Sequence, residues 1–455
     1  MSVLGSLSIL DPDFPKVCTY NTGTLYDYLT GDAIKGYDGK WYIRGGLGNF
    51  ITGCAGRPNT YKSTLMDSLI ARVMHIYPGV EALINDTEGI KDVERVITCG
   101  GRHDTVLDPA RICLISGASC DIQDVLIKVQ AIGLYKEKHM DECVIESPFV
   151  DPVTGKRIMA WIPTIVFIDS LTELDCCDER EMLNTKEGMN DKKMQTVWMV
   201  DGNKKSVLIR HLRKMCERWG LIVICNAQVG VNISMNSYLP PSKELPHMKQ
   251  MDKIKGVGSK FDALTRNLLV ITRCSTLTAK NQDGEETLYG TDAEITPVKE
   301  LSEVVASLVR GKTNLSGHEI PFVISQSFGL LNDITHYHYL RCNDYFALQG
   351  NKSTHACVLT PEIKMTRNTA RQILDTTPTV ARAMELCAQF CYVKTHWPVA
   401  VRFPALSKPV EYLYERLQKP SSRLDEVLAS KGVWSYFDDG RPYLSLFDVL
   451  ELLEK

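Results

Sequence analysis

From Gly45 onward, apolar runs alternate with stretches of helical period. LGNFITGCA (47–55) reads as a strand, Lys62 to about Tyr77 as an amphipathic helix, and EALIND (81–86) as a second strand. A short helix near Asp92–Cys99, the strand RICLISG (111–117) and a long helix over Ile122–Lys138 follow. Strands and helices on this spacing predict a mainly parallel, twisted sheet covered by helices. Residues 144–162 interrupt it with an expected hairpin, turning at Asp151-Pro152 and Gly155, before PTIVFIDS (163–170) resumes the sheet as a buried strand.

Two long polar segments stand out against this alternation. Residues 175–205 mix charges without a clear period and lead into the helix SVLIRHLRKMCERWG (206–220) and the strand LIVICNAQ (221–228). Residues 229–260 carry the breakers Pro240, Pro241, Pro246, Gly256 and Gly258. Connections of that length inside a compact α/β unit are usually functional or mobile. Strands NLLVITR, VVASLVR and IPFVISQ close the sheet, the last two forming a hairpin through GKTNLSGHE (311–319).

The expected organisation is a small cap over residues 1–44, an α/β core over 45–335 and a C-terminal unit over 336–455. The cap carries Tyr20, Tyr26, Tyr28, Tyr37, Trp41 and Tyr42, expected to pack on the core. The last unit shows helical patterns around Thr369–Tyr392 and Val410–Gln418, then a helix (421–432), a hairpin around Asp439-Gly440 and a closing helix, an order that suggests a winged-helix-like module. Arg441 is the one basic residue in its proposed wing, so a structural or protein-contact role competes with DNA binding.

Composition narrows this only a little. The 455 residues are 44% hydrophobic and 24% charged with a net charge of −3, so binding to nucleic acid would have to come from local basic clusters. The 15 cysteines include no C-x-x-C, which argues for reduced thiols in a core rather than a zinc ribbon or disulfide framework. No membrane-length apolar run and no basic leader pattern occur, and the cytoplasm is the expected location.

The chemistry concentrates at strand ends. Gly56, Arg57, Pro58, Asn59, Thr60, Tyr61, Lys62, Ser63 and Thr64 form a polar loop running into a helix, where backbone N–H groups, the helix dipole and the Lys62 ammonium converge on a phosphate. Ser63 offers a hydroxyl to Mg2+. Tyr61 stands where the strict phosphate-loop pattern has glycine, so the helix is expected to begin without a positive φ there. Asp169 ends a buried strand and can hold Mg2+ through water, while Glu88, after EALIND, can deprotonate an attacking water. Asn226 and Gln228 put amides at the same edge, able to sense a γ-phosphate and followed at once by segment 229–260. Lys243, Lys249, Lys253, Lys255 and Lys260 make that segment a candidate single-stranded DNA contact. Arg310 and Lys312 flank Gly311 at another strand end, their side chains on one side of an extended backbone.

GGLGNFITGCAGRPNTYKS, NDTEGI, IVFIDSLTEL, NAQ and LVRGKTN together resemble the RecA-type recombinases over about Gly45 to Leu331, the phage UvsX-type branch in particular, whose loop also has an aromatic residue before the lysine. The resemblance implies a RecA-like P-loop ATPase fold. It implies ATP and Mg2+ as cofactors, Lys62 and Ser63 as their contacts, Glu88 as catalytic carboxylate and Asp169 as the Walker B residue. The γ-phosphate sensor stays open between Asn226 and Gln228. Residues 175–205 and 229–260 would be the first and second DNA-binding loops, and Arg310 and Lys312 a cation pair reaching the ATP of a neighbouring subunit. The implied function is a DNA-dependent ATPase that assembles as a homo-oligomer, filament or ring, on single-stranded DNA and promotes homologous pairing. Single-strand-binding and mediator proteins would be further partners, and for a phage-encoded chain the compartment would be the host bacterial cytoplasm. The alternatives are a hexameric helicase of DnaB type, suggested by Gly56-Arg57-Pro58, and a nucleotide-binding assembly protein without strand exchange.

Overall fold

A computed structural model describes residues 14–99, 107–117, 120–175, 192–231, 243–281, 284–290, 299–351, 353–398, 402–419 and 422–454. Among them, ten strands form one large mixed sheet. In chain order these are β1 (Ile51–Gly56), β2 (Glu81–Asp86), β3 (Ile112–Ser116), β4 (Thr164–Asp169), β5 (Leu221–Val231), β6 (Asp252–Lys255), β7 (Asn267–Thr276), β8 (Leu301–Arg310), β9 (Glu319–Ser325) and β10 (Gly329–Leu330). Their spatial order is β10-β9-β8-β7-β1-β5-β4-β2-β3, with β6 paired on the end of β5. The six strands from β7 to β3 run parallel. The wing β8, β9 and β10 is antiparallel, as is β6.

Alternate residues of the central strands enter two different cores. Ile165, Phe167, Ile222 and Ile224 join one core with the helix α1 (Lys62–Ile76), the cap and the C-terminal helices. Val166, Ile168, Leu221, Val223 and Cys225 join the other, under α3 (Ile122–Lys138) and α4 (Lys192–Trp219). Burial on both faces explains why β1 and β4 are continuous apolar runs instead of alternating ones. The short helix α2 (Val93–Thr98) is capped by Asp92, whose carboxylate accepts from Arg95 N at 2.6 Å. The hairpin forms as 144–150 against 157–161.

Four expectations are corrected. The long helix α4 begins at Lys192, not Ser206, so the second half of segment 175–205 is helical; residues 176–191 lie outside the described set. Strand β5 does not stop at Gln228 but runs to Val231 and pairs with β6, in register Gln228 to Lys255 and Val231 to Asp252. Segment 229–260 is therefore a two-stranded ribbon at its base, with residues 232–242 outside the described set. The helix expected over Thr369–Tyr392 is two, Ala370–Thr376 and α6 (Pro378–His396), parted where Pro378 lacks the N–H to continue the first. Around Asp439-Gly440 no hairpin ladder forms. Residues 433–445 make a loop, held to the end of α1 by Ser435 donating to Ile76 O at 2.7 Å and Tyr436 donating to Pro78 O, with one isolated bridge from Lys431 to Tyr443.

Helix α5 (Asn332–Cys342) packs on β9, and α7 (Ser422–Ala429) and α8 (Leu446–Glu454) close the fold. Residues 14–44 supply a helix, Leu25–Thr30, and a hairpin, Ala33–Lys35 with Trp41–Ile43. Tyr20, Tyr26, Tyr28, Trp41 and Tyr42 are buried as expected, while Tyr37 is exposed. They form a seam with the C-terminal helices. Trp41 packs on Phe403 and Phe447 at ring separations of 5.1 and 6.4 Å, and Tyr42 stacks on Tyr443 at 4.8 Å. Both Trp41 N–H groups are satisfied, the backbone N by Asp448 at 2.8 Å and Nε1 by Glu451 at 3.0 Å.

Candidate functional site

The carboxyl ends of the parallel strands collect the polar residues singled out above. Register aligns Gly56 with Gln228 and Cys54 with Asn226 on neighbouring strands, and Asp169 with Asp86 on the far side. Such an edge, with helices starting from it, is where open parallel sheets bind ligands.

After β1 the loop turns back on itself. Arg57 O accepts from Thr60 Oγ1 at 2.7 Å and from Lys62 Nζ at 3.0 Å. Arg57 itself reaches Asp252 on β6 at 3.5 Å. Asn59 and Tyr61 have φ of 58° and 59°. Tyr61 thus takes the left-handed conformation that glycine usually supplies, contrary to the expectation from its side chain. That conformation costs a non-glycine residue about 1–2 kcal/mol, and the Tyr61 ring offsets part of it by packing on the larger core. The helix starts at once, with Leu65 N donating to Tyr61 O at 2.9 Å.

Beside the loop, Asn226 Nδ2 donates to Asp169 Oδ1 at 2.8 Å and approaches Ser63 Oγ at 3.4 Å. The amide therefore ties the two expected magnesium contacts together. Asn226 Oδ1 and Ser170 Oγ are buried without a protein partner, so this edge holds polar capacity that its own residues leave unused. A hydroxyl, a carboxylate and an ammonium in this order are a donor set for a divalent cation and a phosphate. Gln228 points elsewhere, its Nε2 at 3.4 Å from Glu173 Oε1 and its backbone N–H bonded to Thr172.

Sequence reasoning missed the charge that organises this edge. Lys91 lies between Asp67, at 2.6 Å, and Asp169, at 3.0 Å, with its ammonium over the Phe167 ring at 4.5 Å. Burial pushes the Asp67 carboxyl up to about 6, against the pull of Lys91. Asp86 fixes the loop that carries Glu88, accepting from Lys91 N at 2.7 Å and Glu88 N at 3.2 Å. Thr87 bonds Ser170 on both sides of its hydroxyl. The sequence shows only a lysine three residues after Glu88 in DTEGIK, with nothing to say which carboxylates it meets. Glu88 is mostly exposed, yet the desolvation its neighbours still impose, then the negative charges of Asp169 and Glu173, raise its pKa above the usual glutamate value.

Arg310 and Lys312 are not brought to this edge. Arg310 pairs in register with Leu268, which pairs with Gly53, and Arg310 Nη2 donates to Ala263 O at 2.9 Å. The pair thus lies toward the amino-terminal end of β1, about 10 Å short of Gly56 along the strand. Lys243, Lys249, Lys253, Lys255 and Lys260 are all exposed on or beside the ribbon. Lys249 Nζ is bonded to Thr272 O at 2.8 Å. No helix among the described residues is long and apolar enough to cross a membrane. Comparison with protein-family models and with curated proteins yields no match to this chain.

Proposed function

We propose that this chain is an ATP-dependent DNA recombinase of RecA type that assembles on single-stranded DNA and promotes homologous pairing. The observation that carries this reading is the convergence of Lys62, Ser63, Asn226 and Asp169 at one strand edge, from which a lysine-bearing ribbon extends. Lys62 would exchange Arg57 O for phosphate oxygens, and Ser63 and Asp169 would hold Mg2+, which supplies charge neutralisation at the phosphates. Glu88 would accept the proton of the attacking water, a role suited to a carboxylate whose pKa is raised. Asn226, bonded to Asp169, and Gln228, in register with Lys255, sit two residues apart on one strand, so a change at the nucleotide would reach the ribbon through β5.

Arg310 and Lys312 stand away from their own phosphate loop, which favours a role toward the nucleotide of another copy. A trans cation of this kind is worth about 10³-fold or more in rate. The test is ATP turnover with and without single-stranded DNA. Lys62→Ala and Arg310→Ala/Lys312→Ala proteins should each lose DNA-stimulated turnover, and a mixture should recover part of it, since some interfaces then pair an intact loop with an intact cation pair. Turnover indifferent to single-stranded DNA sinks the recombinase reading. A co-assembled mixture that stays inactive sinks the trans role.

A further inference from the structure

On the antiparallel half of the sheet a carboxylate, an imidazole and a thiol meet, none of them used by the nucleotide site. Glu303 lies on β8, and His338 and Cys342 lie four residues apart on α5, a spacing that puts two side chains on one helix face. His338 Nε2 stands 3.1 Å from Glu303 Oε1 and 3.6 Å from Cys342 Sγ. The ligand atoms of all three fall within 4.8 Å of one another. Atoms about 2.0–2.3 Å from a tetrahedral zinc ion lie about 3.3–3.7 Å apart. Two of the three edges are thus already close to the separations an ion would impose.

We infer that Glu303, His338 and Cys342 form a zinc site with its fourth position open to solvent. His338 is buried and Cys342 exposed, so the cluster is anchored at its base and accessible at its rim. Two outer contacts fit a metal centre better than a bare His–Glu pair. Tyr289 Oη bonds His338 Nδ1, which leaves Nε2 as the nitrogen facing the carboxylate and the thiol. A partner on the second ring nitrogen is what holds an imidazole in ligating orientation. Arg273 Nη2 takes the other carboxylate oxygen, Oε2, at 3.0 Å, leaving Oε1 as the ligand oxygen. A single proton on Nε2 cannot point at both Oε1 and Sγ, whereas an ion between the three can meet them all. The thiol selects zinc over magnesium or calcium. Binding needs Nε2 free of its proton, with Nδ1 keeping one toward Tyr289 Oη, and displaces the thiol proton to solvent, so affinity rises with pH.

The test uses the full chain, reduced and stripped by a chelator, titrated with Zn2+ and separately with Co2+. One ion per chain is expected, with a thiolate-to-cobalt charge-transfer band and a zinc-dependent rise in melting temperature. Cys342→Ser, at an exposed helix end, should fold normally, lose the band and the thermal shift, and lose zinc affinity beyond the about 10- to 100-fold that an outer partner contributes. Tyr289→Phe should keep the band and weaken zinc within that 10- to 100-fold range. Zinc uptake unchanged in Cys342→Ser, or a cobalt complex without the thiolate band, overturns the proposal. The outcome is independent of whether the strand-end site hydrolyses ATP.

Discussion

The strand-end site is organised by buried charge, the seam between cap and C-terminal helices by packed aromatic rings. At the site, Lys91 is shared by two buried carboxylates, Tyr61 sits at a positive φ, and Asn226 and Ser170 keep polar atoms without protein partners. At the seam, Trp41 lies between two phenylalanines with both N–H groups bonded, and Tyr42 stacks flat on Tyr443. Unused polar capacity lowers stability where it stands but leaves groups free to meet a ligand; the seam also buries unpartnered atoms, Tyr26 Oη and Tyr28 Oη, but encloses them in packed rings around the fully bonded Trp41, where no ligand reaches them. The difference separates the residues whose loss should cost function from those whose loss should cost the fold.

The sharpest way to break that separation is Trp41→Ala. It should lower unfolding free energy by about 3–5 kcal/mol, as large aromatic truncations do, while turnover per folded molecule stays near wild type in denaturation and rate assays run side by side. Lost turnover in the folded fraction would mean that the seam also shapes the site. Glu88→Gln should do the reverse, with an unchanged denaturation midpoint and turnover reduced by about 100-fold or more. As the proposed base Glu88 would act deprotonated, and its pKa is raised, so wild-type turnover should fall with decreasing pH at a value above the usual glutamate range. An acid limb at or below that range would remove Glu88 as the base.

Smaller effects test where the site ends. Replacing Lys253 and Lys260 by alanine should flatten the salt dependence of single-strand affinity by about one unit or more of slope, at roughly −0.7 per phosphate contact. An unaltered slope would place the DNA contact away from the ribbon. Tyr61→Gly should relieve the left-handed backbone but lose ring packing, leaving stability within about 1 kcal/mol of wild type and ATP binding intact. A loss of binding would show that the ring, not the backbone, shapes the loop.

Local pattern carried the parallel half of the sheet, because buried strands such as TIVFID and the helix after Lys62 announce themselves by apolar run and period. It also located the ends on which Ser63, Asp169 and Asn226 meet. It could not supply Lys91, whose importance comes from two carboxylates that only the folded sheet brings together. Tyr61 was misjudged because side-chain preference was weighed without the packing that compensates it. The extension of β5 was hidden for a related reason: the breakers after it suggest a loop, and only the partner strand Asp252–Lys255 turns its base into a ladder. The hairpin around Asp439-Gly440 failed the other way, since Ser435 bonds Ile76 at the end of α1 and Tyr436 bonds Pro78 just beyond it, leaving only the single bridge from Lys431 to Tyr443.

The seam also sets a timetable. Trp41 and its partner Asp448 are 407 residues apart in the chain. At the usual pace of about 5–20 residues per second, Asp448 is made about 20–80 s after Trp41. For most of that interval Trp41 lacks Phe403, Phe447 and Asp448, and Tyr42 lacks Tyr443, although Phe149 is already made. Until Phe447 and Asp448 arrive, the cap has only the sheet to collapse onto.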